Sequence, residues 1–376
     1  MPSDPSPPAS TSRRRYLALA GAAVGASVGT AGCGGVAARV RAPRVEWRTE
    51  IGSQWRVASV PDRTDGRILA IGGSELVAVD ADSGDRLWES SYFERPYGPV
   101  VADGVAIVGE RRRAGYRPNG AELWSRETEH RFIPRAALDG AVVGGCDRAD
   151  AVVLAVDATD GGVRWGVTPD GWPRYGGAFD AVTVADGLVA AHFEGPLTGI
   201  DPDGAIRWVT DDEWDTHGPG NPSLASSGST VVAASGAIAG FDAATGDRRW
   251  RRVLPDLATG VAAADGTAYV TVEGDTPKVD SWDEPGGVVA YDATDGMQLW
   301  RAVLPDPARP PAAGSDGIVV GTDEGDLFAL DAEDGSVRWR RPVGDRVVTA
   351  PLITLDRVFV GAATESGAAT VVALPR

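Results

Sequence analysis

The sequence predicts an all-β chain, an eight-bladed β-propeller of four-stranded antiparallel blades whose ring is closed by an N-terminal strand joining the C-terminal blade. A tryptophan ladder is the first sign. Trp47, Trp88, Trp124, Trp165, Trp208, Trp250, Trp300 and Trp339 recur at gaps averaging about 42 residues, the length of one propeller blade. From Trp88 onward each has a glycine four residues before it: Gly84, Gly120, Gly161, Gly204, Gly246, Gly296 and Gly335. Asp80, Asp157, Asp242, Asp292 and Asp331 stand eight residues before their tryptophans. The second sign is a fixed order of strand-like and turn-like phrases inside each repeat.

The segment from Arg309 to Arg340 shows that order. Ile318-Val319-Val320-Gly321 reads as a β-branched strand. Asp326-Leu327-Phe328-Ala329-Leu330-Asp331 alternates polar and apolar residues, the pattern of a half-buried strand. Ser336-Val337-Arg338-Trp339 reads as an outer strand ending on its tryptophan. With the strand before the first turn, each repeat holds four, labelled A to D from the axis outward. The A–B turns are Asp-Gly pairs: Asp103-Gly104, Asp139-Gly140, Asp186-Gly187, Asp265-Gly266 and Asp316-Gly317. Such pairs favour hairpins because glycine accepts positive φ. The C–D turns carry Asp-x-x-x-Gly, one residue shorter at Arg117–Gly120 and Asp201–Gly204. They lack the spacing and closing glutamate of calcium loops and read as structural turns. The repeated tryptophans read as packing between blades.

Seven repeats are complete. After Trp339 come only three strands, Val347–Ile353, Val358–Ala362 and Ala369–Leu374. The missing fourth is expected at Arg44–Arg48, so both ends of the chain build the eighth blade and leave no open seam.

The chain of 376 residues carries net charge −17, with 53 Asp+Glu against 36 Lys+Arg, and Lys278 is its only lysine. An acid-rich, lysine-poor surface suits salty solvent, where repulsion is screened, so a halophilic source is expected. Nucleic-acid binding needs a basic stripe, and none stands out.

Residues 1–33 read as an export signal. Arg13 and Arg14 precede Tyr16-Leu17 and a Gly/Ala-rich apolar run to Gly32. That run is weakly hydrophobic for a permanent span and suits a signal core. The arginine pair resembles a twin-arginine signal. Thr30-Ala31-Gly32-Cys33 resembles a lipobox, which implies lipidation of Cys33; an uncleaved N-terminal anchor and simple secretion are the alternatives. Residues 34–43 would then be a tether and 44–376 the propeller, held at the outer face of the cell membrane. Cys146 is the one other cysteine, so neither a disulfide framework nor a cysteine-based metal site can be built.

The phrase Leu327-Phe328-Ala329-Leu330-Asp331-Ala332-Glu333-Asp334-Gly335-Ser336-Val337-Arg338-Trp339 resembles the pyrroloquinoline-quinone-like (PQQ-like) repeat, with Asp157–Trp165, Asp242–Trp250 and Asp292–Trp300 repeating its second half. The resemblance covers nearly the whole chain after residue 43 and implies the propeller fold. Quinoprotein dehydrogenases of this superfamily hold quinone and calcium with adjacent cysteines and Glu/Asn/Asp ligands. This chain has no adjacent cysteines, and Asn119 and Asn221 are its only asparagines. No catalytic, cofactor-binding or metal-binding residue is expected. The chain is also similar to the non-catalytic propeller lipoprotein of the bacterial barrel-assembly machine, which implies an interaction scaffold, expected here as a monomer with a partner the sequence does not name. A PQQ-dependent redox enzyme and an extracellular small-molecule or glycan sensor are the alternatives.

Long connections are all of the B–C and D–A kinds, which share one face of a propeller. They are Glu110–Gly115, His192–Leu197 and Glu273–Gly287, and Ser125–Pro134, Gly166–Phe179 and Val209–Ser223. They hold Trp172, Trp214 and Trp282, which break the repeat, together with Tyr175, Arg112, His130, His192 and His217. Aromatic and arginine side chains are what interfaces favour. The candidate interaction face is therefore Trp172, Tyr175, Trp214, His217, Trp282 and Arg112.

Overall fold

The computed structural model describes residues 42–53, 66–91, 97–147, 151–172, 180–184, 187–191, 196–210, 222–274 and 285–376. Cys33, Arg13 and Arg14 lie outside the described residues, as do Trp55, Tyr175, His192, Trp214, His217 and Trp282. No helix appears among the described residues, and so none long and apolar enough to cross a membrane.

The strands fall into eight antiparallel sheets. In chain order, β1 (Trp47–Ser53) precedes seven blades. The first shows β2 (Arg67–Gly72), β3 (Glu75–Asp80) and β4 (Arg86–Ser91), its expected inner strand lying outside the described residues. The second is β5 (Tyr97–Ala102), β6 (Val105–Gly109), β7 (Arg112–Tyr116) and β8 (Glu122–Glu127). The third is β9 (Phe132–Leu138), β10 (Ala141–Cys146), β11 (Val153–Asp157) and β12 (Val163–Val167). The fourth is β13 (Asp180–Val184), β14 (Gly187–Ala191), β15 (Thr198–Ile200) and β16 (Ile206–Val209). The fifth is β17 (Ser223–Ser227), β18 (Thr230–Ala234), β19 (Ala237–Asp242) and β20 (Arg248–Val253). The sixth is β21 (Ala258–Ala264), β22 (Thr267–Glu273), β23 (Gly286–Asp292) and β24 (Gln298–Leu304). The seventh is β25 (Ala312–Gly314), β26 (Gly317–Gly321), β27 (Asp326–Asp331) and β28 (Val337–Pro342). The eighth contains β29 (Arg346–Val347), β30 (Leu352–Ile353), β31 (Arg357–Ala363) and β32 (Ala368–Pro375), with β1 as its outer strand. The described A strands, from the second blade to the eighth, touch one another from blade to blade.

Four expectations need correction. The closing strand runs from Trp47 to Ser53 rather than Arg44 to Arg48; it pairs Trp47 with Ala373 and Ser53 with Ala368. The same shift holds elsewhere, because each repeat tryptophan is the third residue of its outer strand and does not end it. The strand continues past the ring toward the long-loop face. The inner strand of the eighth blade is split into β29 and β30, both pairing with β31; Pro351 lies in the gap and has no N–H to give the ladder. Finally, β27 is buried along nearly its whole length rather than half-buried, because a blade inside the ring has a neighbour on each face.

A small residue faces every repeat tryptophan across the C–D pair: Ala78, Gly115, Ala155, Gly199, Gly240, Ala290, Ala329 and, for Trp47, Ala373. In the seven blades of continuous chain a β-bulge follows that pair directly. Bulges add local twist, and a small partner leaves room for the indole.

The indole then crosses to the next blade. Its Nε1 donates to a carbonyl in that blade's C–D turn: Trp47 to Ala81, Trp88 to Pro118, Trp124 to Ala158, Trp165 to Pro202, Trp208 to Ala243, Trp250 to Ala293 and Trp300 to Ala332, at 2.8–3.3 Å. The ring lies on the glycine of the same turn. A Cβ at Gly84, Gly120, Gly161, Gly204, Gly246, Gly296 or Gly335 would come within 2.4–2.6 Å of the preceding blade's indole. These glycines also have positive φ. Gly and Trp of one repeat therefore serve two different blade junctions.

Trp339 faces the one place where such a turn is missing, since the C–D turn of the eighth blade is the gap between the chain ends. Ala42 and Val45 pack instead on the cluster containing Trp339, Val343 and Val347. Arg48 donates to the Val343 carbonyl at 2.7 Å, and Arg376 bonds Asp316 across the junction. On the other side of the eighth blade, Arg357 pairs with Glu46 and, in the first blade, with Asp82.

Candidate interaction surface

The two faces of the ring are built differently. The A–B and C–D turns on one face are short and fixed. Asp103-Gly104, Asp139-Gly140 and Asp265-Gly266 all have positive φ at both residues, the type I′ turn that matches strand twist. The five long C–D turns close with a bond from the glycine N–H to the aspartate carbonyl, as in Gly84 to Asp80 and Gly335 to Asp331. The two shorter turns close one residue tighter, from Gly120 to Arg117 and Gly204 to Asp201.

The turn aspartates are engaged within their own turns. Asp80 accepts the N–H groups of Asp82 and Ser83, and Asp292 those of Thr294 and Asp295. In four blades an arginine just before the tryptophan clamps the same carboxylate: Arg164 on Asp157, Arg207 on Asp201, Arg249 on Asp242 and Arg338 on Asp331. The sequence carries this as Arg-Trp dipeptides, a signal the repeat pattern alone does not isolate. Asp157 is held down from 3.8 to about 2, chiefly by the Thr159 hydroxyl, with the Thr159 N–H and Arg164 adding to it. Asp80 is lowered mainly by the Ser83 N–H, Asp242 mainly by Arg249 and Asp331 mainly by the Glu333 N–H.

This sets an acid limit. Carboxylates with lowered folded pKa stabilise the fold fully above their unfolded value near 3.8 and lose that contribution as pH falls toward 2. Thermal unfolding at constant salt is expected to be flat with respect to these groups above about pH 5 and to drop between about pH 4 and 2. Asp157→Asn lowers stability at neutral pH and shrinks the acid drop. An acid drop identical to that of the parent chain would contradict the assignment.

The opposite face carries the D–A and B–C connections. The structure places three of the sequence-derived residues there or beside it. Trp172 is buried. It packs with Val143, Val153, Leu188 and Ile200 between the third and fourth blades and donates from Nε1 to the Pro196 carbonyl at 2.9 Å. Trp172 thus joins the D–A loop to the next B–C loop and offers little contact surface. Arg112 lies in β7 and not in a loop, because the expected B–C insertion at Glu110–Gly115 is only two residues long; its guanidinium pairs with Glu122 and donates to Ser125 Oγ at 2.8 Å. Arg113 is buried over the Phe132 ring. His130 is exposed on the D–A loop, with Nδ1 3.5 Å from Asp147. The long loops with Tyr175, Trp214, His217 and Trp282 lie outside the described residues.

The inner ring is lined mainly by Ala, Gly, Ser and Val, with Arg135 of β9 as an exception. Protein crowding pulls its pKa down, against the charges of Asp180 and Tyr97, yet the residue keeps solvent exposure. Among the described residues no donor set of the quinone–calcium dehydrogenase type is brought together. Cys146 is buried in the core of the third blade with Phe132 and Leu154. Among the described residues no three His, Cys, Asp or Glu side chains converge to hold a metal ion.

A family profile described as outer membrane protein assembly factor BamB matches residues 3–116, 113–281, 234–302 and 284–374. A comparison with curated proteins found no match. Among solved structures, BamB from Moraxella catarrhalis superposes with a TM-score of 0.66 at 17% identity, covering 88% of this chain and 99% of that one. The computationally designed Ika8 protein gives 0.67 at 15% identity over 86% and 98%. The quinohemoprotein alcohol dehydrogenase from Comamonas testosteroni gives 0.66 at 16% identity over 88% and 76%. At these identities the structures share the fold, and one fold hosts both a designed protein and an enzyme. The profile spans nearly the whole chain, which belongs to the family of the outer membrane protein assembly factor BamB.

Proposed function

We propose that the protein is a non-catalytic, membrane-tethered, extracytoplasmic propeller that holds a partner on its long-loop face. One observation carries this reading, the asymmetry of the ring. Its described C–D turns are short and closed by their own hydrogen bonds, while after β2 the longest stretches between consecutive strands, 168–179, 210–222 and 274–285, are all D–A or B–C connections in the chain order. Loops set on a rigid scaffold are where binding residues concentrate. The family description points to the same class of work, assembly by contact rather than conversion of a substrate.

Membrane attachment rests on the twin-arginine-like and lipobox-like residues Arg13, Arg14 and Cys33. β1 begins at Trp47 opposite Ala373, near the end of β32. The chain therefore enters the ring from the short-turn side. A tether of residues 34–43 spans at most roughly 35 Å, so a lipid on Cys33 would keep the propeller near the bilayer and leave the long-loop face clear. The acid excess of the chain suits a salty exterior.

The competing activity is tested directly. The full chain, incubated with pyrroloquinoline quinone and calcium, is expected to show no stoichiometric cofactor absorbance and no alcohol oxidation. A one-to-one complex with turnover would replace the scaffold reading with a dehydrogenase.

A further inference from the structure

The charge of this acidic chain is unevenly spread around the rim. The outer strands of the fifth, sixth and seventh blades, β20, β24 and β28, hold eight arginines and no acidic residue. The other five outer strands, β1, β4, β8, β12 and β16, hold five arginines and four glutamates. Arg249, Arg338 and Arg340 are clamped by Asp242, Asp331 and Asp326. Arg252 has its guanidinium on the carbonyls of Arg251 and Asp295, which leave its charge in place. The same stretch of rim bears Val253, Met297, Leu299, Val303 and Val337, five exposed large apolar side chains on or beside these strands.

We propose that this rim is a membrane-docking surface for anionic phospholipid headgroups. Guanidinium groups with exposed aliphatic side chains on a convex wall are the chemistry that anionic bilayers attract, through phosphate contacts and shallow apolar burial. An acidic protein would also meet the arginines, but exposed apolar side chains interspersed with them, Val253 above all, suit shallow burial in a bilayer. The entry of the chain agrees. Ala42 and Val45 pack on the Trp339 cluster, and Trp339 belongs to β28, so the tether begins beside this rim. Docking there stands the ring on edge and leaves both faces open. The sequence hides the surface because its arginines are scattered over about 90 residues and converge only through the radial arrangement of blades.

The proposal extends the membrane-tethered reading, and its test is independent of lipidation. Full-length chain carrying Cys33→Ser is mixed, in about 0.15 M salt, with vesicles of phosphatidylcholine alone or with a third phosphatidylglycerol. Sedimentation is expected only with the anionic vesicles. Arg252→Glu with Arg301→Glu lowers the affinity at least tenfold. Arg117→Glu with Arg126→Glu on the second blade makes the same change in net charge, and Arg126 makes an equivalent backbone bond to Asp160; this pair leaves binding within about twofold. Near-UV circular dichroism confirms that each variant is folded. No binding to anionic vesicles by the parent chain overturns the proposal, as does equal binding to neutral ones or an equal loss in the second-blade variant. Vesicle indifference together with arginine-dependent capture of an acidic protein overturns it in favour of a protein partner.

Discussion

Trp250→Ala is expected to lower the unfolding free energy by about 3–5 kcal/mol, among the largest effects of any single truncation in the ring. The indole is buried in a cluster with Val270, Val289 and Tyr291. It stacks with Tyr291 at 6.5 Å between ring centroids. It also bonds the Ala293 carbonyl of the sixth blade at 2.9 Å. Truncation opens a cavity between two blades and strips a buried carbonyl of its donor. Trp88→Ala, at a more exposed ring, is expected to cost less. Denaturant unfolding at fixed salt measures both, and equal small effects would show that the indoles do not join the blades.

Gly161→Ala is the second large effect. The substitution forces a side chain into φ +72° and sets its Cβ 2.4 Å from the Trp124 ring. Backbone strain of about 1–3 kcal/mol adds to overpacking of similar size, giving a loss of about 2–6 kcal/mol. Gly266→Ala separates the two terms. Its φ of +81° is similar, but nothing lies within 4 Å of the added Cβ, so the cost should stay at about 1–2 kcal/mol. A Gly161→Ala chain no less stable than Gly266→Ala would remove the indole-on-glycine contact from the account.

These two residues show how far the sequence could be read. Gly and Trp four residues apart announce a repeat, and the repeat with its Asp-Gly turns yields eight blades and a closing strand. What spacing hides is that the pair is not a pair. Gly161 receives Trp124 from the preceding blade, while Trp165 goes on to Gly204. A one-dimensional period cannot show which neighbour a side chain reaches. The closing strand runs beyond its expected bounds for a related reason: the tryptophan sits early in its strand, and β1 continues to Ser53 through residues with no strong pattern. Yet Trp47 lacks the glycine that precedes the other seven, with Pro43 in its place. That departure marks the junction where Trp339 has no turn to rest on.

Less of the candidate surface was legible. Trp172 breaks the repeat and still proves to be packing, because a long D–A loop needs its own apolar anchor. Arg112 reads as part of a loop, but it lies in β7, where its neighbour Arg113 is buried over the Phe132 ring of the next blade. The arginine rim is hidden in the sequence for the opposite reason, since its members are far apart along the chain and gather only around the ring. Composition correctly gives an acidic chain, yet a net charge says nothing about where the positive side chains gather.

The scaffold reading stands or falls on the long-loop face. The direct test is affinity isolation of the chain from its own membranes in native salt. The wild-type chain is compared with one whose connections 210–222 and 274–285 are replaced by short turns. The account predicts a partner recovered near stoichiometrically with the wild-type chain and lost with the loop-replaced chain, while both remain folded and membrane-bound. Recovery of the same partner from both would contradict it.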